Sequence, residues 1–326
     1  MMRRRRGNVT LFVLGDSYVD TGNTPRSGSV AWKQPYGITF PGNPSGRFSD
    51  GHVLADYIAS YLGIRSPTPY EQKKIEAMTS KIDNGINFAY GGTGVFQTLV
   101  DLPNMTTQID LLQQLIDQKL YTRTNLSSSI ALVSLAGNDY ATFLTKNGSL
   151  EGLPKFSKSV INQLIVNVKR INDLGIKKIA VAGIEPLGCL PRVTASSSYK
   201  KCSATENNLS IYHNQMLKQN LIGLNSYSAA APVYIYLDLY TAFTSALQTE
   251  NNSSGRNSRN DESQLKPCCL GKNVEDCGLT DENGVKKYVV CENLTESFFW
   301  DSLHPSNQGW GAIYEALIPS LKSLFL

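Results

Sequence analysis

No apolar run in this chain approaches the roughly 18 residues of a membrane-crossing helix, so the sequence holds no candidate span. Nor is an N-terminal signal segment expected within the sequence as written. After Arg6 the apolar stretch 9–14 is too short, is interrupted by Thr10 and reads as a strand. An excess of one charge is nearly absent: four of the 31 basic residues are Arg3 to Arg6, and the others equal the 27 acidic residues in number. Beyond that short run nothing favours a nucleic-acid partner, and none is expected. The six cysteines contain no CxxC pair and the three histidines lie elsewhere, which disfavours zinc. No metal or other cofactor is expected. No linker or internal repeat divides the 326 residues, so a single domain spanning 1–326 is expected, with residues 1–8 disordered.

What is present points to an oxidising route. The cysteines are Cys189, Cys202, Cys268, Cys269, Cys277 and Cys291, an even number with four inside 24 residues, and disulfides are the favoured reading. Eight Asn-x-Ser/Thr sequons occur, at Asn8, Asn104, Asn125, Asn147, Asn208, Asn251, Asn252 and Asn293.

Short β-rich runs alternate with longer helical patterns. The strand candidates are 10–14, 86–89, 130–135, 178–182 and 233–237; amphipathic patterns cover 52–62, 107–121, 158–174, 205–224 and 306–326. Such alternation predicts an α/β fold with a parallel sheet covered on both faces by helices. Two stretches break the rhythm. Residues 24–49, rich in Pro, Gly and aromatics, read as a long ordered loop near the exit of the first strand. Residues 249–264 are almost wholly polar and read as a mobile surface loop.

In an open parallel sheet, functional groups collect at the carboxyl ends of the strands. Ser17 follows the first predicted strand in VTLFVLGDS, Gly91 and Gly92 the second in NFAYGG, and Asn138 the third in LAGND; Asp301 and His304 precede the last helix in WDSLHPS. A serine hydroxyl needs a base before it can attack, and imidazole is the usual one. A carboxylate three residues before the histidine can hold its other nitrogen from the same turn, with Pro305 stiffening the exit. The backbone N–H groups of Ser17 and Gly91 and the Asn138 side chain can then receive an oxyanion. Gly92 is the alternative if the second glycine lines that hole. Taken singly each motif is ordinary turn or cap chemistry; together, in this order, they point to acyl transfer. His52 and His213 have no acid at the same spacing and read as structural or surface residues.

The blocks LFVLGDSYVDTGN, PYGITFPGNPSGRFSDG, INFAYGGTGVF, LAGNDY, IAVAGIEPLGCLPR and WDSLHPSNQGW resemble the plant GDSL esterase/lipase family of SGNH hydrolases along nearly the whole chain. The resemblance implies a three-layer α/β/α sandwich with a flavodoxin-like parallel sheet. It implies that Ser17 is the nucleophile, His304 the base and Asp301 its orienting acid, with Ser17, Gly91 and Asn138 forming the oxyanion hole. It also implies an ester of a small acid, a lipid or a plant metabolite as substrate, no metal, and a secreted glycoprotein. No Gly-x-Ser-x-Gly motif occurs, which excludes the α/β-hydrolase nucleophile elbow. At least two disulfides are expected, Cys189–Cys202 among them. Tyr90 stands where many relatives carry a small residue, which would narrow the entrance beside Gly91. The same triad would also serve an acyltransferase that passes the acyl group to an alcohol. A third reading, a silent binding protein on this scaffold, conflicts with the intact five-residue set.

Overall fold

The structure, a computed structural model of the chain, describes residues 9–75, 82–226, 232–253, 264–273 and 276–325. The disordered start read at 1–8 lies outside the described residues, as does most of the polar stretch 249–264. Within that stretch, however, the helix Leu239–Ser253 runs on through the first polar residues. The sequence reading ended order too early because polarity marks a solvated face as readily as a loop.

Six parallel strands form the central sheet: β1 (Leu11–Gly15), β2 (Thr68–Pro69), β3 (Ile86–Asn87), β4 (Ile130–Ser134), β5 (Lys178–Ala182) and β6 (Tyr234–Leu237). Their order is β2-β3-β1-β4-β5-β6. With the two-residue edge strand β2 set aside, this is the flavodoxin-like arrangement, and the chain changes direction across the sheet between β1 and β4. The crevice expected at such a switch point therefore opens where β1 delivers Ser17.

The strand sequences alternate between the two helical layers. Leu11 and Val13 of β1, Ile130 and Leu132 of β4, and Ala180 and Ala182 of β5 pack into one core with the helices Leu54–Leu62, Leu239–Ser253 and Asn307–Leu321. Phe12, Leu14, Ala131, Val133, Ile179 and Val181 point into the other, with Met105–Asp117, Leu153–Asp173 and Ala204–Asn225. Successive residues of a strand face opposite ways, so burial on both faces requires an unbroken apolar run. β1 and β4 are buried at every position. The three-layer α/β/α sandwich follows.

A small antiparallel pair, β7 (Cys269–Gly271) with β8 (Tyr288–Val290), stands apart from the sheet. Around it Tyr36, Trp300 and three cysteines make a minor core, stapled by Cys268–Cys291 and Cys269–Cys277. The third disulfide is Cys189–Cys202, as expected from the sequence, with a separation of 13 residues. It ties the turn after β5 to the start of the helix Ala204–Asn225. Closing a loop of this length stabilises a fold by about 2–4 kcal/mol. We expect Cys189→Ser/Cys202→Ser to lower the unfolding free energy by about that amount in urea melts under non-reducing conditions; an unchanged midpoint would contradict this.

Candidate active site

Gly15 ends β1 because nothing larger fits: a Cβ there would lie 2.3 Å from the Ser134 carbonyl oxygen and 2.4 Å from Val19 Cγ2. The chain then turns sharply. The Asp16 carbonyl accepts the N–H groups of Val19 and Asp20, and the Asp16 carboxyl accepts that of Tyr18. Ser17 is left at the tip, with its hydroxyl facing the C-terminal loop.

That loop is built by its own aspartate. Asp301 Oδ1 accepts the backbone N–H groups of Leu303 and His304 at 2.9 and 2.8 Å. The turn is closed by Trp300 N–H to His304 O and Ser306 N–H to Phe298 O. Ser306 then caps the last helix through the N–H of Gly309. The same carboxylate thus folds the turn and holds the ring.

Across 287 residues of sequence, Ser17 Oγ lies 2.8 Å from His304 Nε2. His304 Nδ1 lies 2.8 and 2.9 Å from the two Asp301 oxygens. Since the carboxylate only accepts, Nδ1 carries the proton and Nε2 is free to accept from the serine. A residue that sequence reasoning missed completes this chain: Tyr36, from the long loop 24–49, donates its hydroxyl to Asp301 Oδ2 at 2.7 Å. Burial alone would raise the Asp301 carboxyl, but the His304 charge, the bond from His304 and the Tyr36 hydroxyl hold it below the usual carboxylate range. The loop 24–49 is ordered, as expected, and also sets Phe48 against His304, with ring centroids 5.2 Å apart.

The glycine pair divides its work. The Gly91 N–H donates to Thr24 Oγ1 at 2.7 Å and to Asp20 Oδ2 at 3.1 Å, so it is already engaged. A Cβ at Gly91 would lie 2.3 Å from the Phe48 ring, which explains the glycine by close packing. Gly92 has φ +80°, a left-handed conformation that favours glycine. Neither its N–H nor that of Ser17 donates a hydrogen bond among the described residues. Asn138 opens the helix Gly137–Thr145, which is not among the helical patterns read from the sequence. Its Nδ2 donates to Thr93 O at 3.0 Å, beside the glycine pair. Asp139 accepts the N–H groups of Val95 and Phe96, locking that segment to the helix; burial pushes its carboxyl up to about 6 against the pull of those two N–H groups.

Tyr90 does not narrow the entrance. It is buried and donates its hydroxyl to Glu71. His213 is buried, bonded to the Tyr140 hydroxyl at 2.8 Å and pushed down to about 3 by burial, so it stays neutral. His52 stacks on Phe40 and contacts Asn307. Neither joins the site. Among the described residues no cluster of His, Cys, Asp or Glu could hold a metal ion, and no helix is long and apolar enough to cross a membrane.

A serine hydroxyl bonded to a carboxylate-oriented imidazole is equipped for acyl transfer. The model of the GDSL-like lipase/acylhydrolase family matches residues 11–317. A GDSL esterase/lipase of Arabidopsis thaliana is 49% identical over 313 residues, covering 95% of this chain and 86% of its own length. A second Arabidopsis GDSL esterase/lipase is 46% identical over 328 residues, covering 100% and 91%. Acetylajmalan esterase 2 of Rauvolfia serpentina is 31% identical over 342 residues, covering 96% and 90%. The chain belongs to the GDSL lipase/acylhydrolase family and is an ester-hydrolysing enzyme.

Proposed function

We propose that this chain is a single-domain serine esterase that cleaves carboxylic esters through an acyl-enzyme on Ser17. The hydrogen-bonded series Ser17–His304–Asp301 carries the reading. His304 Nε2 takes the hydroxyl proton as Ser17 Oγ bonds to the ester carbonyl carbon. The tetrahedral oxyanion is received by the N–H groups of Ser17 and Gly92 and by the amide of Asn138. Gly92 replaces Gly91 in this role because the Gly91 N–H is held by Thr24 and Asp20. When the ester bond breaks, the alcohol leaves with the proton from His304. Water, activated by the same imidazole, then releases the acid and restores Ser17.

Support for a short acyl group comes from the tight wall that Phe48 forms against Gly91 and His304, and from the acetyl-ester name of one relative. Three disulfides support passage through an oxidising secretory compartment. A panel of acetyl, butyryl and long-chain esters, assayed with and without added alcohols, tests the proposal. Release of free acid from the short esters, unchanged by the alcohols, is expected. A dominant transfer product would overturn hydrolysis in favour of acyl transfer.

A further inference from the structure

Among the described residues, Asp301 takes one side-chain hydrogen bond from outside its own turn, and that bond has a structure built around it. Asp301 Oδ1 is loaded by its own loop: the N–H groups of Leu303 and His304 and the ring nitrogen Nδ1 lie at 2.9, 2.8 and 2.8 Å. Oδ2 has the same Nδ1 at 2.9 Å and the Tyr36 hydroxyl at 2.7 Å. Nδ1 carries a single proton and stands almost equally far from the two oxygens, so the ring alone does not fix how the carboxylate is turned. Rotation about the Cβ–Cγ bond of an aspartate is soft. The Leu303 and His304 amides hold one oxygen, and Tyr36 holds the other. Burial, and then the Asp301 charge, push the Tyr36 hydroxyl well above the usual phenol range, so it keeps its proton and stays the donor.

Tyr36 in turn stands on the small stapled core. It is buried, and its ring meets Trp300 edge-on with centroids 5.9 Å apart. The Gln34 carbonyl, two residues earlier, accepts from the Tyr288 hydroxyl of β8 at 3.1 Å. Gly278 packs beside both: a Cβ there would lie 3.2 Å from Tyr36 Cε2 and 3.5 Å from Gln34 O. The same piece grips the acceptor's side. Cys268 and Cys269 donate their N–H groups to Phe299 O and Trp300 O at 2.9 and 2.7 Å, directly ahead of Asp301. Both ends of the Tyr36–Asp301 bond are therefore anchored in one unit, closed by Cys268–Cys291 and Cys269–Cys277.

We propose that Tyr36 is a positioning residue for ester cleavage: mounted on the β7–β8 piece, its hydroxyl keeps the Asp301 carboxylate turned so that His304 Nε2 stays on Ser17. Hydrogen bonds to an ionised carboxylate are among the stronger ones. Without this one, Oδ2 is left buried with only a share in the ring proton. The carboxylate then turns, the ring follows, and Ser17 Oγ loses its acceptor for part of the time. Negative charge that the phenol had shared is drawn toward Nδ1 instead. The chemical step slows while substrate binding does not change, because Tyr36 acts on the Nδ1 side of the ring and Ser17 stands on the Nε2 side.

The inference rests on the Ser17 esterase reading, and the test separates the two. Tyr36→Phe keeps the ring on Trp300 and deletes the bond to Asp301. In the full chain its kcat for p-nitrophenyl acetate should fall about tenfold, with KM within about twofold of the parent. The proton NMR resonance of the His304 Nδ1 hydrogen, assigned by its loss in His304→Ala, should move downfield in that variant. Tyr288→Phe, which deletes the bond to Gln34, should lower kcat about threefold, and should change nothing further when added to Tyr36→Phe. An unchanged kcat, a loss seen in KM instead, or an unmoved resonance in Tyr36→Phe would each overturn the inference alone. A silent Tyr288→Phe, or one whose effect adds in full to that of Tyr36→Phe, would overturn the mounting on β8. A parent chain whose turnover survives Ser17→Ala would overturn the esterase reading, and the inference with it.

Discussion

Ser17→Ala is expected to lower ester turnover by roughly 10⁴-fold or more while leaving the fold intact. The substitution removes the atom to which the acyl group would bond, and no other hydroxyl stands within reach of His304 Nε2 in its place: Ser17 Oγ is its one hydrogen-bond partner among the described residues. The residual rate should be what an oxyanion hole and binding provide without a nucleophile. Little else depends on the hydroxyl, since the turn around it is held by Asp16 and by backbone bonds. Hydrolysis of p-nitrophenyl acetate and a thermal melt check both halves. Unchanged turnover would move the nucleophile elsewhere.

Asn138→Ala should lower kcat by about 10²–10³-fold with KM little altered. The asymmetry follows from when the interaction is made. Asn138 Nδ2 already spends one hydrogen on Thr93 O, so its position is fixed before substrate arrives, and in the proposed mechanism its second hydrogen meets charge that exists only in the tetrahedral intermediate. Loss of a group that binds ground state and transition state alike would raise KM instead. A pure KM effect, or a collapse in melting temperature, would assign Asn138 to binding or to structure.

The centre of the sheet could be read from sequence because β1 and β4 are buried at every position and β5 and β6 at all but one, so these runs are almost wholly apolar. β2 escaped because it spans two residues, one of them proline. The helix Gly137–Thr145 escaped for a different reason. It begins with Gly-Asn-Asp, which are turn formers, and is entered through Ala136 at φ 126°, a left-handed backbone no local pattern predicts for alanine. The juxtaposition of Ser17, His304 and Asp301 was legible because Asp301 and His304 share one turn and Ser17 closely follows a buried strand. Tyr36 was not, since its partner Asp301 lies 265 residues away. The choice between Gly91 and Gly92 was equally hidden. It depends on which N–H Thr24 and Asp20 capture, and that is a property of the folded loop.

The most direct test of the account is peptide mapping after brief exposure of the folded chain to a fluorophosphonate. The account predicts a single phosphonyl group on the peptide containing Ser17, formed with loss of fluoride, and almost none in His304→Ala. Labelling on a different serine, or labelling of Ser17 at the same rate without His304, would contradict it.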